Sequence, residues 1–312
     1  MSTTINSILI PTDFSDNSES ALKVGIAIAK RQNAEITLLH VLDTYSYLRP
    51  SEVFLPGAEI IQDLKQTMEV QLNKIALNIQ YKSGIATKAL IMSGSPADCI
   101  CRSAFNNKIS LIVMGTHGDS GLREFFIGSD TYKVVKNAAC PVLTIPGNWN
   151  KTFFERVLFP IRLYPNALEK YFFARPIIEK NNSELILLGL AEKKKPDDVK
   201  EIALLMDRLK YQLHNDNVVF QSLLCPCENF PEKVINSANE HNTDLIILTA
   251  NLDTNFRSFF VGPFVQRVVN HARRPVLSIK PEIIQTKKTN TIAVAESWGS
   301  MIDFSDFEIQ AP

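Results

Sequence analysis

The sequence has no excess of either charge and no apolar run long enough to cross a membrane. Lysine plus arginine and aspartate plus glutamate number 33 each, so the chain has no overall positive field that would attract nucleic acid. No stretch approaches the ~18 consecutive apolar residues of a spanning helix. These absences argue against a nucleic-acid-binding protein and against a membrane-embedded one.

Cysteine is scarce as well. The five cysteines are an odd number, which favours reduced thiols over a disulfide framework. The first residues, MSTTINSILIPTDFS, lack the basic region, apolar stretch and cleavage site of a signal peptide. We therefore expect a soluble protein of the cytoplasm.

Short apolar segments alternate with amphipathic ones in the first third of the chain. The segments 7–12, 35–41 and 87–92 have the near-continuous apolar character of buried strands. Helices are predicted from a cap at Ser15 or Asp16 to about Arg31, over 61–79, and over 96–105. Alternating strands and helices with fully apolar strands predict a parallel sheet covered on both faces.

The segment from Leu111 to Ile145 is the most informative one. It predicts a strand, a glycine-containing loop, a helix over about 130–138, and a second strand. The loop contains Gly115, Gly118 and Gly128-Ser129, where glycine permits positive φ and close approach of a ligand. The first N–H groups of the following helix form a natural anion site. The loop therefore predicts a site for the phosphates of a nucleotide; the alternative is that its glycines only form tight turns.

The same order of segments then occurs a second time. Val157–Ile161 (VLFPI) corresponds to Ile8–Thr12 (ILIPT), 149 positions earlier. Leu245–Ile279 aligns without a gap to Leu111–Ile145, 134 positions earlier. The smaller second offset places the shortening of the second copy between its second and third strands. Two copies this long can each form a core, so the pattern predicts a duplicated domain and not a solenoid.

The predicted boundaries follow from this repeat. The first domain spans residues 1–148 and the second spans residues 152–281. A C-terminal extension, residues 282–312, belongs to neither copy. Its aromatic residues favour docking on a groove or as an added strand; the alternative is disorder.

Ligands of a doubly wound sheet bind beyond the carboxyl ends of its strands, at the switch point. In the first copy three pieces reach that edge: the turn after the first strand, the end of the second strand, and the glycine loop. His117 either touches phosphate or metal or is a solvated loop residue. The predicted site residues are Pro11, Thr12, Asp13, Val41, Met114, Gly115, His117, Gly118, Gly128, Ser129, Asp130 and Thr131.

The spacing G-2x-G-9x-G-S, together with the start PTDFS at 11–15, resembles the universal stress protein family in its ATP-retaining branch. The resemblance covers both copies. It implies two tandem doubly wound five-stranded parallel-sheet domains of the adenine-nucleotide alpha hydrolase-like type, with strand order 3-2-1-4-5. It also implies pairing through the last strands, 142–145 with 276–279, within one chain or in a homodimer.

The same resemblance implies a ligand and roles for the site residues. The expected ligand is an adenine nucleotide, ATP, alone or with Mg²⁺. Asp13 is expected near the ribose, Val41 near the base, and the glycine loop around the phosphates.

The second copy departs from this pattern. Arg162 takes the place of Asp13, Thr249 that of Gly115, and Pro263 that of Ser129. Proline has no N–H to donate and arginine cannot accept a hydrogen bond from ribose. We therefore predict that the second copy does not bind ATP in the same way. Arg162 is expected either to bind an anion or carboxylate locally or to be an ordinary surface arginine.

The sequence favours a nucleotide-dependent sensor or regulator of the stress response. One alternative is a slow ATPase or self-phosphorylating enzyme with Ser129 or Thr131 as acceptor, although no Walker lysine follows the loop. Another is a dimer-like scaffold with a vestigial site. Cys225 and Cys227 suggest metal or redox chemistry, but without a second ligand pair their spacing is poor for zinc.

Overall fold

A computed structural model describes residues 4–43, 58–116, 128–164, 166–250 and 263–280. Strands and helices alternate along this part of the chain, as predicted. The strands of the first half are β1 (Ser7–Pro11), β2 (Glu35–Leu42), β3 (Thr87–Ser93), β4 (Leu111–Gly115) and β5 (Val142–Ile145). Its helices are α1 (Asp16–Gln32), α2 (Ala58–Ser83), α3 (Pro96–Asn106) and α4 (Ser129–Asn137).

The second half repeats this order of elements. Its strands are β6 (Arg156–Ile161), β7 (Glu184–Glu192), β8 (Phe220–Cys227), β9 (Leu245–Thr249) and β10 (Val276–Ile279). Its helices are α5 (Lys170–Asn181), α6 (Pro196–Asn215), α7 (Phe230–Glu240) and α8 (Pro263–His271). The connection that contains α6 is shorter than the one that contains α2, as the change in repeat offset predicts.

All ten strands form one sheet in the order β3-β2-β1-β4-β5-β10-β9-β6-β7-β8. Within each half the pairing is parallel and follows the order third, second, first, fourth, fifth. This is the doubly wound arrangement that the alternating segments predict, and it brings the carboxyl ends of β1, β2 and β4 to one edge.

The halves meet where β5 pairs with β10 in antiparallel orientation, and Leu143 lies opposite Leu277. The hydroxyl of Thr144 donates to the carbonyl of Val276 at 3.2 Å across this joint. The pairing of last strands is thus a property of the fold. Because the sheet is continuous, the domain boundaries at 148 and 152 stay predictions, and the extension 282–312 lies outside the described residues.

Helices cover the sheet in two layers. Side chains of α1, α2, α5 and α6 share one apolar core with alternate strand residues such as Ile8 and Ile10. Side chains of α3, α4, α7 and α8 share the other core, on the face that carries Leu9. The alternation of Ile8, Leu9 and Ile10 between two buried faces explains why the strands are apolar throughout.

Local signals fix the helix ends that matter for the site. Ser15 caps α1, since its hydroxyl oxygen accepts from the N–H of Ser18 at 3.3 Å. Helix α4 begins at Ser129, one residue before the predicted start. None of the helices in the described ranges combines the length and apolar character needed to cross a membrane.

Candidate functional site

A cavity of about 420 Å³ lies at the carboxyl edge of the first-half strands. It is formed by the ends of β1, β2 and β4 and by the beginnings of α3 and α4. Its lining residues are Pro11, Thr12, Asp13, Ser18, Leu39, Val41, Asp43, Pro96, Ile100, Met114, Gly115, Gly128, Ser129, Asp130 and Thr131. Strand β1 lies between β2 and β4 in the sheet, so the cavity is at the topological switch point.

The turn after β1 is held by its own side chains. The hydroxyl oxygen of Thr12 accepts from the N–H of Phe14 at 3.1 Å. Oδ1 of Asp13 accepts from both the N–H and the hydroxyl of Ser15, at 3.1 and 2.6 Å. These bonds orient the Asp13 carboxylate beside the N-terminus of α1, at the rim of the cavity.

The start of α4 differs from the sequence expectation in one respect. Gly128 has φ −59° and ψ 148°, which any residue can adopt, so it does not need glycine for a positive φ. Its N–H donates to the carbonyl of Thr116 at 2.8 Å and is therefore not available to a phosphate. The hydroxyl of the buried Thr131 donates to the carbonyl of Gly115 at 3.0 Å and ties α4 to β4.

The first turn of α4 still offers donors. The amides of Ser129, Asp130 and Thr131 are the first three of the helix, and such amides have no acceptor within a helix. They lie at the cavity with the positive end of the helix dipole. An anion at this end of the cavity would find backbone donors.

Ten of the twelve predicted site residues line the cavity, and the other two, His117 and Gly118, lie outside the described residues. Five lining residues were missed: Ser18, Leu39, Asp43, Pro96 and Ile100. Asp43 had a usable signal, because it directly follows β2. Pro96 and Ile100 belong to α3, whose approach to the β1 edge depends on the tertiary fold.

The lining of the cavity combines apolar side chains with carboxyl groups. Leu39, Val41, Ile100 and Met114 supply apolar wall. Asp13, Asp43 and Asp130 contribute three carboxyl groups to the lining. The described part of the lining contains no lysine, arginine or histidine. Asp130 is 3.8 Å from Nζ of Lys133, an exposed pair that contributes little.

Comparisons with known proteins agree with this fold. The model of the Universal stress protein family matches residues 4–146. Universal stress protein MJ0531 of Methanocaldococcus jannaschii is 36% identical over 141 residues, which cover 44% of this chain and 80% of that protein. The chain belongs to the universal stress protein family. Universal stress protein YxiE of Bacillus subtilis is 34% identical over 147 residues, covering 45% of this chain and 98% of its own length.

The fold of this universal stress protein extends over both halves. A crystal structure of a universal stress protein from Archaeoglobus fulgidus matches 88% of this chain and 98% of its own, with a TM-score of 0.71. Its sequence is only 20% identical, so it supports the fold alone. The two curated relatives named above each correspond to less than half of the chain, and the family model matches residues in the first half.

The second half of this universal stress protein places bulky side chains at the equivalent edge. Arg162, Phe230 and Phe264 take the positions of Asp13, Pro96 and Asp130, which line the first-half cavity. The guanidinium carbon of Arg162 lies 4.2 Å from the ring centroid of Phe264 and 5.3 Å from that of Phe230. Arg162 thus contacts two aromatic rings at this edge, and its Nε is buried. The expectation of an ordinary surface arginine was wrong.

The second half also contains a buried lysine whose charge interacts with that of Arg162. Lys170 of α5 is 2% exposed, and its ammonium lies 4.4 Å from the ring centroid of Phe159 and donates to the carbonyl of Pro160. Burial, and then the positive charge of Arg162, lower the pKa of Lys170 from 10.5 to about 7. The first half has Ala21 at this position, so the buried cation is specific to the second half.

The described lining of the cavity contains no cysteine. All five cysteines of the chain are free. Cys225 and Cys227 lie on β8, and burial raises the pKa of the Cys227 thiol. In the described ranges no three or more metal-ligating side chains come together.

Proposed function

We propose that this universal stress protein binds an adenine nucleotide, ATP, in the first-half cavity and acts as a nucleotide-dependent regulator in the stress response. The observation that carries the proposal is the cavity itself. It combines apolar wall, a rim carboxylate and unpaired helix amides at the switch point of a doubly wound sheet.

Each part of the cavity would meet one part of the nucleotide. The apolar residues Leu39, Val41 and Met114 would enclose the adenine. Asp13 would accept hydrogen bonds from ribose hydroxyls, as a carboxylate does in dinucleotide-binding doubly wound folds. The amides of the first turn of α4 would donate to phosphate oxygens. The bound nucleotide would stabilise only the folded site, so binding would shift the population of its conformations.

Magnesium would accompany the nucleotide. Mg²⁺ is usually held by substrate phosphates with one or two carboxylates, and Asp13, Asp43 and Asp130 line the cavity. An ATP without metal would bring its negative charge next to these carboxylates.

Removal of Mg²⁺ with EDTA should therefore weaken ATP binding about tenfold, because the charge repulsion is no longer neutralised. Adenosine, which has no phosphate, serves as the control and should bind equally well with and without the metal. Titration calorimetry measures both. An ATP affinity that is the same in EDTA would show that the carboxylates do not face the phosphates.

The self-phosphorylating enzyme remains a second candidate because of one observation. Ser129 is exposed at the cavity, whereas the hydroxyl of Thr131 is buried and bonded to Gly115. If either residue accepts a phosphoryl group, it is Ser129. The described lining contains no lysine or arginine to stabilise the transferring phosphoryl group, which favours binding without turnover.

Native mass spectrometry of the full chain with ATP and Mg²⁺ over a time course tests these readings. We expect one retained ATP per chain, since Arg162, Phe230 and Phe264 replace three residues that line the first-half cavity. We also expect no turnover. Accumulation of ADP or phosphoprotein that stops in Ser129→Ala would instead establish the enzyme. Absence of nucleotide binding would leave a scaffold, and two nucleotides per chain would contradict the prediction that the second half does not bind ATP.

A further inference from the structure

The residue that carries the proposed ribose contact stands in an unfavourable turn. Asp13 lies between Thr12 and Phe14, and Phe14 has φ 65°, in the left-handed region. A bulky non-glycine residue rarely adopts this conformation, and it persists only where surrounding contacts impose it. Contacts from outside the turn add to the hydrogen bonds that its own side chains make.

The contacts from outside the turn come from β2. The N–H of Thr12 donates to the carbonyl of Leu39 at 2.8 Å. Nδ1 of His40 donates to the carbonyl of Thr12 at 2.8 Å, which fixes the proton on Nδ1 because a carbonyl only accepts. The imidazole also packs on the ring of Phe14, with centroids 4.6 Å apart. His40 thus contacts both residues that flank Asp13.

His40 does not contact the ligand space itself. Its neighbours Leu39 and Val41 line the cavity, and side chains alternate along a strand, so His40 lies on the opposite face of β2. Phe14 packs against the core on that same opposite face, with α1 and α2. The hydrogen bond and ring contact therefore place His40 to influence a ligand through the turn.

The second half lacks this arrangement as a unit. By the repeat offset, Arg162 replaces Asp13, Leu163 replaces Phe14, and Gly189 replaces His40. A Cβ at Gly189 would meet Sδ of Met206 and would lie 2.7 Å from Cγ2 of Ile202, so the close packing of α6 on β7 disfavours a histidine there. The second half therefore lacks both the aspartate and the imidazole that, in the first half, contacts the residues on either side of it.

We propose that His40, with Phe14, is a positioning residue that sets the Asp13 carboxylate and so makes the site select ribonucleotides over deoxyribonucleotides. This inference rests on the proposed function of the first-half cavity. His40 holds the carbonyl before Asp13 and the ring after it, which leaves the carboxylate a narrow range of directions. Loss of the imidazole should cost the ribose contact and spare the contacts to base and phosphates.

The test compares binding of ATP, 2′-deoxy-ATP and 3′-deoxy-ATP to the full chain by calorimetry. The wild type should prefer ATP over at least one deoxynucleotide by about tenfold, the size of one hydrogen bond to a charged group. His40→Leu should reduce that preference to about twofold while its affinity for the deoxynucleotide stays the same. His40→Asn, which keeps a donor, should restore part of the preference.

His214→Leu is the matched control, because His214 packs on Phe220 in the second half with ring centroids 5.1 Å apart. It should leave the preference unchanged. Hydrogen exchange of the nucleotide-free protein gives a readout that needs no ligand: the amides of Thr12–Ser15 should exchange faster in His40→Leu, and unchanged exchange would overturn the inference.

Two further outcomes separate this inference from the function on which it rests. In the first, the wild type binds nucleotides, and His40→Leu loses affinity equally for all three of them. That result would overturn the positioning role and leave the proposed function intact. Absence of any nucleotide binding by the wild type would refute the proposed function, and the selection of ribonucleotides with it.

Discussion

Gly128→Val should lower the affinity for ATP by at least about a hundredfold, which is the loss expected when two charge-assisted hydrogen bonds to phosphate are blocked. Gly128 lines the cavity directly before the first turn of α4, so a branched side chain there would occupy the space in front of the helix amides. Its backbone angles, φ −59° and ψ 148°, suit valine, so the fold should be retained.

Gly262→Val provides the matched control, because the repeat offset places Gly262 opposite Gly128. It should leave ATP binding unchanged. Urea unfolding of Gly128→Val should show a loss of at most about 1 kcal/mol, the usual cost of a poor N-cap residue. A stable Gly128→Val protein with unaltered ATP affinity would mean that the nucleotide binds elsewhere.

Lys170→Met should stabilise the protein by about 2 kcal/mol at pH 7, since an apolar residue of similar volume avoids the cost of a buried charge. The gain in stability is smaller than the full cost of burying the charge, because methionine cannot donate to the carbonyl of Pro160. Urea unfolding at several pH values measures the difference between the two proteins.

The gain should depend on pH in a defined direction. The folded pKa of Lys170, about 7, lies below its unfolded value of 10.5. Between these values the unfolded chain binds the extra proton, so the wild type becomes more stable as pH rises. The advantage of Lys170→Met is therefore complete below pH 7 and shrinks toward pH 10. Lys74→Met, on the exposed face of α2, should show no such trend. If Lys170→Met were less stable than the wild type by an amount that does not change with pH, the conclusion that the buried charge of Lys170 opposes folding would be wrong.

Sequence patterns were sufficient for the order of elements and for much of the first-half site. Apolar segments with proline at the fourth position predicted both β1 and β6, and the resemblance to the family implied the strand order of each half. Ten lining residues were predicted because each lies at or just after the carboxyl end of a strand or at the start of α4. Such residues meet at the carboxyl edge by topology alone.

The remaining features depend on contacts between distant segments. His40 lies in an apolar strand, and nothing nearby in sequence indicates that it holds the turn at Thr12. The sequence left Arg162 as either a local partner of an anion or carboxylate or an ordinary surface arginine, because its two aromatic partners come from α7 and α8, far along the chain. The N–H of Gly128 was expected to face phosphate, but its partner, Thr116, lies on the far side of the loop.

The antiparallel pairing of β5 with β10 has a consequence for how the protein responds to dilution. Two separate chains joined through their last strands would dissociate as their concentration fell. Here the chain itself connects β5 to the second half through residues 146–155, so the partner strand is always present at a high effective concentration. The joint should therefore remain closed at any protein concentration in the cell.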